Sequence, residues 1–355
     1  MEGILHPAKT AARFTAFGAT FVGPVLSFFS QQLVENTAQN TPLFFLAREG
    51  YWLEKAFKQY LSGSNKKQTS CYLLASRAFL FKLLLGDSQS YAYSLKGDFK
   101  GSFYDLMRTR FLLSNSEIGV IFSNEISGRH VELPVDEKSI TEVLANHKKA
   151  IDKVIAPTKC AYIAYLEAMG VNKQPTLHLV DLGYSGTIQS LLGILLNKNT
   201  YGHYLIASNP GVHSIEGWKA TMKGYLKEGI KIGEGYLPLD RSMFLESLLT
   251  APNGQFRDIK LNTFDQSKFD FYYGRKVASQ RYFYELEQIM AGALNYCFHT
   301  GKHQLAFTSH ELELLLNSYM GKPNMIPKCT THIFDIDDDV TGNGTVNALQ
   351  FFGLA

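Results

Sequence analysis

The sequence predicts an α/β protein built on a parallel sheet wound with helices. Three observations carry that expectation. Apolar runs of strand length stand at residues 41–47, 70–75, 176–180 and 201–208. The runs at 41–47 and 176–180 are each followed by a short loop and then by a helical stretch, residues 51–61 and 188–196. Strand, helix and strand between residues 41 and 75 have the spacing of a βαβ unit, whose two strands are parallel and adjacent.

The first forty residues read as a helical lead-in. Residues 14–34 carry no charge, but they include Thr15, Thr20, Pro24, Ser27, Ser30 and two glutamines. That composition fits a buried helix pair broken near Gly23-Pro24, and neither a signal peptide nor a membrane span. Residues 41–214 form the expected α/β core. It carries a helical insertion at about 82–170, with a helix at 105–111, a loop at 131–136 and one or two long helices over 139–169, broken at Pro157. Residues 215–355 are expected to be mostly helical, with helices at 240–249, 282–296 and 310–319. Gly224, Gly229, Gly233 and Gly235 punctuate the stretch before them.

The acidic run at 334–344 invites two readings, an Asp-x-Asp phosphatase loop and a calcium loop. Only 16 residues follow Asp339, too few for the rest of such a phosphatase. Val340 and Val346 stand where a calcium loop needs glycine and glutamate. An acidic surface loop remains.

Composition narrows the partners. The chain of 355 residues has 35 basic and 32 acidic side chains, net +3. That balance is too even to argue for nucleic acid or an anionic membrane. Twenty-five Phe and 19 Tyr fill a core and offer aromatic platforms. Cys71, Cys160, Cys297 and Cys329 are far apart and none has zinc spacing, so free thiols in a reducing cytoplasmic compartment are expected.

The chemistry gathers at three strand ends: Arg48-Glu49-Gly50, Ser76-Arg77, and the run from Asp181 through Leu182, Gly183, Tyr184, Ser185 and Gly186 to Thr187. A small-residue loop at a helix N-terminus exposes unpaired N–H groups and positive potential, an arrangement that binds phosphate. Alone it is equally a tight turn, and either arginine alone is equally a surface or structural cation. Parallel strand ends lie along one edge of a sheet. Two arginines and a phosphate cradle on that edge argue for a ligand with more than one anionic group.

The order of elements resembles the type I phosphoribosyltransferase fold. In that fold an early loop binds pyrophosphate, and acidic residues before a Thr-Gly-rich loop hold the ribose 5-phosphate of phosphoribosyl pyrophosphate (PRPP). The stretch from Leu179 to Thr187 looks like a shortened form of that motif; it departs in having Leu182 where a second acid is usual. A closer resemblance spans roughly residues 20–260. The runs Phe45 to Tyr51, Leu74 to Arg77, Val180 to Gln189 and Phe244 to Pro252 look like signatures of a region in bacterial surface-polysaccharide biosynthesis proteins. That region is often fused to haloacid dehalogenase-type phosphatases or glycosyltransferases, and is similar to glycan phosphoribosyltransferases.

The resemblance implies transfer of 5-phosphoribosyl from PRPP to a sugar hydroxyl of an O antigen or capsule, the first step of ribofuranose addition. It implies that Ser185, Gly186 and Thr187 hold the 5-phosphate and Asp181 the ribose hydroxyls. Arg48 and Arg77 clamp the pyrophosphate, with Mg²⁺ bridging its oxygens and Asp181 the candidate for direct metal contact; Gly50, Ser76, Gly183 and Tyr184 complete the PRPP-binding set. Glu246, and after it Glu49, are the candidate bases. The acceptor lies on the helical insertion and residues 224–236. A separate phosphatase partner or domain completes ribose addition, and the place of work is cytoplasmic, peripheral to the inner membrane. Two other classes stay open: a haloacid dehalogenase-type phosphohydrolase, which needs an Asp nucleophile where Arg48-Glu49-Gly50 stands, and a non-catalytic sugar-phosphate-binding module.

Overall fold

Strand β1, Leu43–Leu46, shows why a parallel sheet forms here. Its four residues are apolar and at most 1% exposed. Leu43 and Phe45 enter one core, while Phe44 and Leu46 enter another on the opposite face. A strand buried on both faces needs helices on both, as in doubly wound sheets. The computed structural model describes residues 7–215, 217–338 and 344–354, and it is mixed α/β. In chain order the strands are β1, β2 (Ser70–Leu73), β3 (Phe99–Ser102), β4 (His130–Leu133), β5 (Thr176–Asp181), β6 (Asn199–Ala207), β7 (Gly211–Ile215), β8 (Trp218–Glu228), β9 (Phe256–Leu261), β10 (Phe269–Tyr273), β11 (Asp335–Asp338) and β12 (Gly344–Asn347).

Six of them form one sheet in the order β2-β1-β5-β6-β8-β7. β1 pairs in parallel with β2 on one side and with β5 on the other, as the βαβ spacing required for the first pair. β6 and β8 continue in parallel, and β7 closes the edge antiparallel to β8. The chain moves outward from β1 to β2, then returns across β1 to β5. The order therefore reverses between β1 and β5, and a crevice opens beyond their carboxyl ends.

The sheet runs past residue 214, where the core was expected to end. β8 alternates Trp218, Ala220 and Met222, all buried, with Lys219, Thr221 and Lys223. Gly-rich flanks masked that period-two pattern. β9 and β10 pair as an antiparallel hairpin in a region expected to be helical. The helices expected further on are present as Met243–Leu249, Phe283–His303 and Ser309–Gly321.

The insertion also differs from expectation. The loop at 131–136 is partly β4, which pairs with β3. Pro157 lies inside the helix Lys148–Ala168, and the interruption falls at His147, between that helix and Glu137–Asn146. At the open edge of the sheet, two tyrosines of the long helix replace a strand. Tyr162 donates to the Leu74 carbonyl at 2.9 Å, and the Leu74 N–H donates to Tyr165 at 3.0 Å. The acidic run near the end is a β-hairpin, β11 with β12, whose residues 339–343 lie outside the described residues.

The lead-in is one helical course: Pro7–Phe17, a π turn at Gly18–Val22, then Gly23–Asn36. Residues 1–6 lie outside the described residues. Pro24 does not break it, because Pro24 sits in the first turn of the second helix, where no N–H is needed. Ala11–Asn36 is long and apolar enough to cross a membrane, yet 67% of its most apolar window is buried inside the protein. Its partner is Phe283–His303, and the crossing is close. A Cβ on Gly292 would lie 1.9 Å from the Thr15 carbonyl oxygen, and one on Gly18 would lie 1.7 Å from that of Ile289. Gly292→Leu is therefore expected to destabilise the protein by about 3 kcal/mol or more, read as a lower urea midpoint.

Candidate functional site

The crevice at the carboxyl ends of β1, β2 and β5 is a cleft of about 990 Å³. Arg48, Glu49, Ser76, Arg77 and the run from Asp181 to Thr187 line it, and so does Glu246. The sequence placed all of these at one sheet edge except Glu246, which arrives on the helix Met243–Leu249.

The loop after β5 is held from below. The Ser208 N–H donates to the Tyr184 carbonyl at 2.8 Å, and the Ile206 N–H to that of Leu182 at 3.2 Å. Gly186 has φ +72° and caps the helix Thr187–Leu196 without any side-chain bond to its first turn. The first-turn N–H groups thus point from the helix end without intrahelical partners. Gln189 fixes where that end points. Its side-chain amide donates to Thr200 Oγ1 at 3.1 Å and the Thr221 carbonyl at 2.8 Å, and its Oε1 accepts from Tyr204 at 2.9 Å. Ser185 Oγ is 3.1 Å from Thr187 Oγ1, so two hydroxyls stand together at the helix mouth. Gly186→Ala forces a left-handed φ on a residue with a Cβ, which would meet Met222 Sδ at 2.6 Å. It should cost about 1–2 kcal/mol by calorimetry.

Three carboxylates, Glu49, Asp181 and Glu246, line the cleft near one another. Asp181 is half-buried at the end of β5, and its Oδ1 accepts the Leu182 N–H at 2.8 Å. Burial first, then Glu49, hold its pKa well above the usual carboxylate range; the Leu182 N–H opposes them, and Glu246 adds to the rise. Glu246 is likewise raised, by burial and then by Glu49, while the Ser242 hydroxyl, Arg48 and the Tyr184 hydroxyl pull it back. Burial and crowding thus favour the protonated forms of Asp181 and Glu246 relative to ordinary carboxylates. The sheet histidines do not join them. His178 Nδ1 lies 3.0 Å from His203 Nε2, and His203 Nδ1 lies 2.7 Å from the Tyr225 hydroxyl. Burial drives His203 down to about 3, so it stays neutral.

Two predicted residues have other work. Gly50 is buried, and a Cβ there would lie 2.6 Å from the Phe45 carbonyl carbon, so its smallness serves helix-to-strand packing. Ser76 caps the helix Arg77–Leu83, accepting the Phe79 N–H at 3.2 Å and donating to the Phe256 carbonyl at 2.6 Å. Its hydroxyl is committed to structure.

The cleft also holds cations that sequence reasoning did not select: Lys231, Arg257 and Arg275. The turn signal Pro252-Asn253-Gly254 precedes the hairpin that brings two of them. Among the described residues no three His, Cys, Asp or Glu side chains are placed to share a metal ion. Glu49, Asp181 and Glu246 are the cleft carboxylates that could contact a Mg²⁺ ion there. The sequence matches no family model and no curated protein.

Proposed function

We propose that this cleft binds PRPP and transfers its 5-phosphoribosyl group to a sugar hydroxyl of a bacterial surface glycan. The observation that carries the reading is the charge layout at the switch point. A helix-mouth loop with two hydroxyls stands at the end of β5, Arg48 and Arg77 stand at the ends of β1 and β2, and Glu49, Asp181 and Glu246 line the same cleft. A donor with a monophosphate at one end, a ribose in the middle and a diphosphate at the other end matches that layout.

Ser185 and Thr187, with the N–H groups of their loop, hold the 5-phosphate. Asp181 lies beside the ribose and stabilises positive charge growing at C1. Arg48 and Arg77 take the charge that develops on the diphosphate as the C1–O bond breaks and the electron pair leaves with it. The glycan oxygen forms the new bond to C1 and gives its proton to Glu246, whose raised pKa suits a base working near neutral pH. Mg²⁺ supplies charge neutralisation on the diphosphate when bound.

The test is direct. Purified protein, PRPP, Mg²⁺ and a panel of bacterial oligosaccharides are incubated, and mass spectrometry looks for a phosphoribosyl adduct. No adduct on any acceptor, together with no PRPP-induced rise in Tm, overturns the reading. Chelation by EDTA is expected to abolish transfer while ribose 5-phosphate, held at the loop, still raises Tm.

A further inference from the structure

The β9–β10 hairpin is built to hold two arginines at one end of the cleft. It adjoins the β2 edge: Tyr165, which caps Leu74, packs edge-on against Phe271 at 5.6 Å. β9 is pinned on both sides of Arg257. The residue before it, Phe256, gives its carbonyl to Ser76 Oγ at 2.6 Å. The residue after it, Asp258, faces Lys82 Nζ at 3.5 Å and accepts from Thr158 Oγ1 at 3.3 Å. Lys82 is only 3% exposed and also pairs with Glu117 at 3.0 Å. Both pins come from one short helix, Arg77–Leu83, and its cap. Across the hairpin, a Cβ on Gly274 would lie 3.2 Å from Arg257 Cδ, so the Arg257 side chain lies over Gly274, next to Arg275. Both arginines line the cleft.

We infer that Arg257 and Arg275 form a second phosphate-binding head, taking the outermost phosphate of a ligand whose other end sits on the Ser185–Thr187 loop. This deepens the PRPP reading and rests on it. Neighbouring parallel strands lie about 4.8 Å apart, so the ends of β2 and β5 are about 10 Å apart, with the hairpin beyond β2. A monophosphate sugar seated on the loop falls short of the hairpin; a diphosphate at C1 extends toward it. The hairpin thereby distinguishes PRPP from ribose 5-phosphate, and Lys82 is a positioning residue for Arg257.

The probes are inorganic pyrophosphate, ribose 5-phosphate and PRPP, each with Mg²⁺, titrated calorimetrically into the full chain. In the double variant Arg257→Gln/Arg275→Gln, Kd for pyrophosphate and PRPP should rise about 30-fold, while that for ribose 5-phosphate changes less than about twofold. Both residues are exposed, and the urea midpoint of the double variant checks that its fold is kept. Lys82→Met, which touches no ligand, should weaken pyrophosphate in the same direction and leave ribose 5-phosphate alone. Unchanged pyrophosphate affinity in the double variant, or equal losses for all three ligands, overturns the second head. Wild-type protein that transfers phosphoribose normally while the double variant binds PRPP as tightly removes the inference alone. Wild-type protein that binds pyrophosphate through these arginines but never transfers removes only the transfer reading.

Discussion

Asp181→Asn is expected to lower phosphoribosyl transfer about 1,000-fold while leaving the fold intact. Asparagine keeps the side chain's shape and still offers an oxygen to the Leu182 N–H, the one hydrogen bond that Asp181 makes within its own loop. In the proposed reaction it loses the carboxylate that would face positive charge growing at C1. Because the carboxylate is held in a site that burial and Glu49 already make unfavourable for charge, its removal costs no stability. Transfer is measured by pyrophosphate release and folding by thermal melting. Release within about threefold of wild type would remove Asp181 from the reaction. A large fall in Tm would instead make it a structural residue.

Much of this site was legible because parallel sheets send every strand end to one edge. Arg48, Arg77 and Asp181 are far apart in sequence, yet each follows an apolar run, and the βαβ spacing was enough to align them. Glu246 was legible only through its motif, since nothing in local periodicity says that a short helix after residue 240 folds back over the strand ends. The packing of Gly50 against β1 and the helix cap made by Ser76 were not visible in the sequence for a physical reason. A glycine or serine beside a strand end looks the same in sequence whether it admits a ligand or closes a backbone contact. Arg257 and Arg275 were missed because their hairpin has a mixed pattern. Phe256 and Ile259 are buried, but the bulge at Tyr272/Tyr273 and the exposed Leu261 and Tyr272 spoil strict alternation. The glycines that seat the long C-terminal helix against the lead-in are likewise silent in one sequence. Their meaning lies in Thr15 and Ile289, residues 270 or more positions away in the partner helix.

Glu246→Gln is expected to separate catalysis from stability in opposite directions. Transfer near neutral pH should fall about 100-fold or more, since the glycan proton loses its acceptor. Stability should rise. Glu246 binds its proton more tightly in the folded state than in the unfolded chain, through burial and the nearby Glu49. The folded protein therefore holds more protons than the unfolded one between the ordinary glutamate pKa and the raised one, and stability drains away as pH climbs through that window. Above it the full penalty of the carboxylate is present; below the ordinary value it is absent. Glutamine has no such penalty, so Tm of the variant should exceed wild type by about 1–3 °C at pH 8 and converge with it near pH 4. The rate profile tests the same proton. In wild type the rising limb reports acids that titrate together, and loss of Glu246 also relieves Asp181 of one neighbour. The variant's residual activity should lose that limb or shift it to lower pH. A limb that stays in place, or a Tm gain that does not depend on pH, assigns the proton elsewhere and leaves Glu49, the cleft carboxylate not already placed at the ribose, as the base.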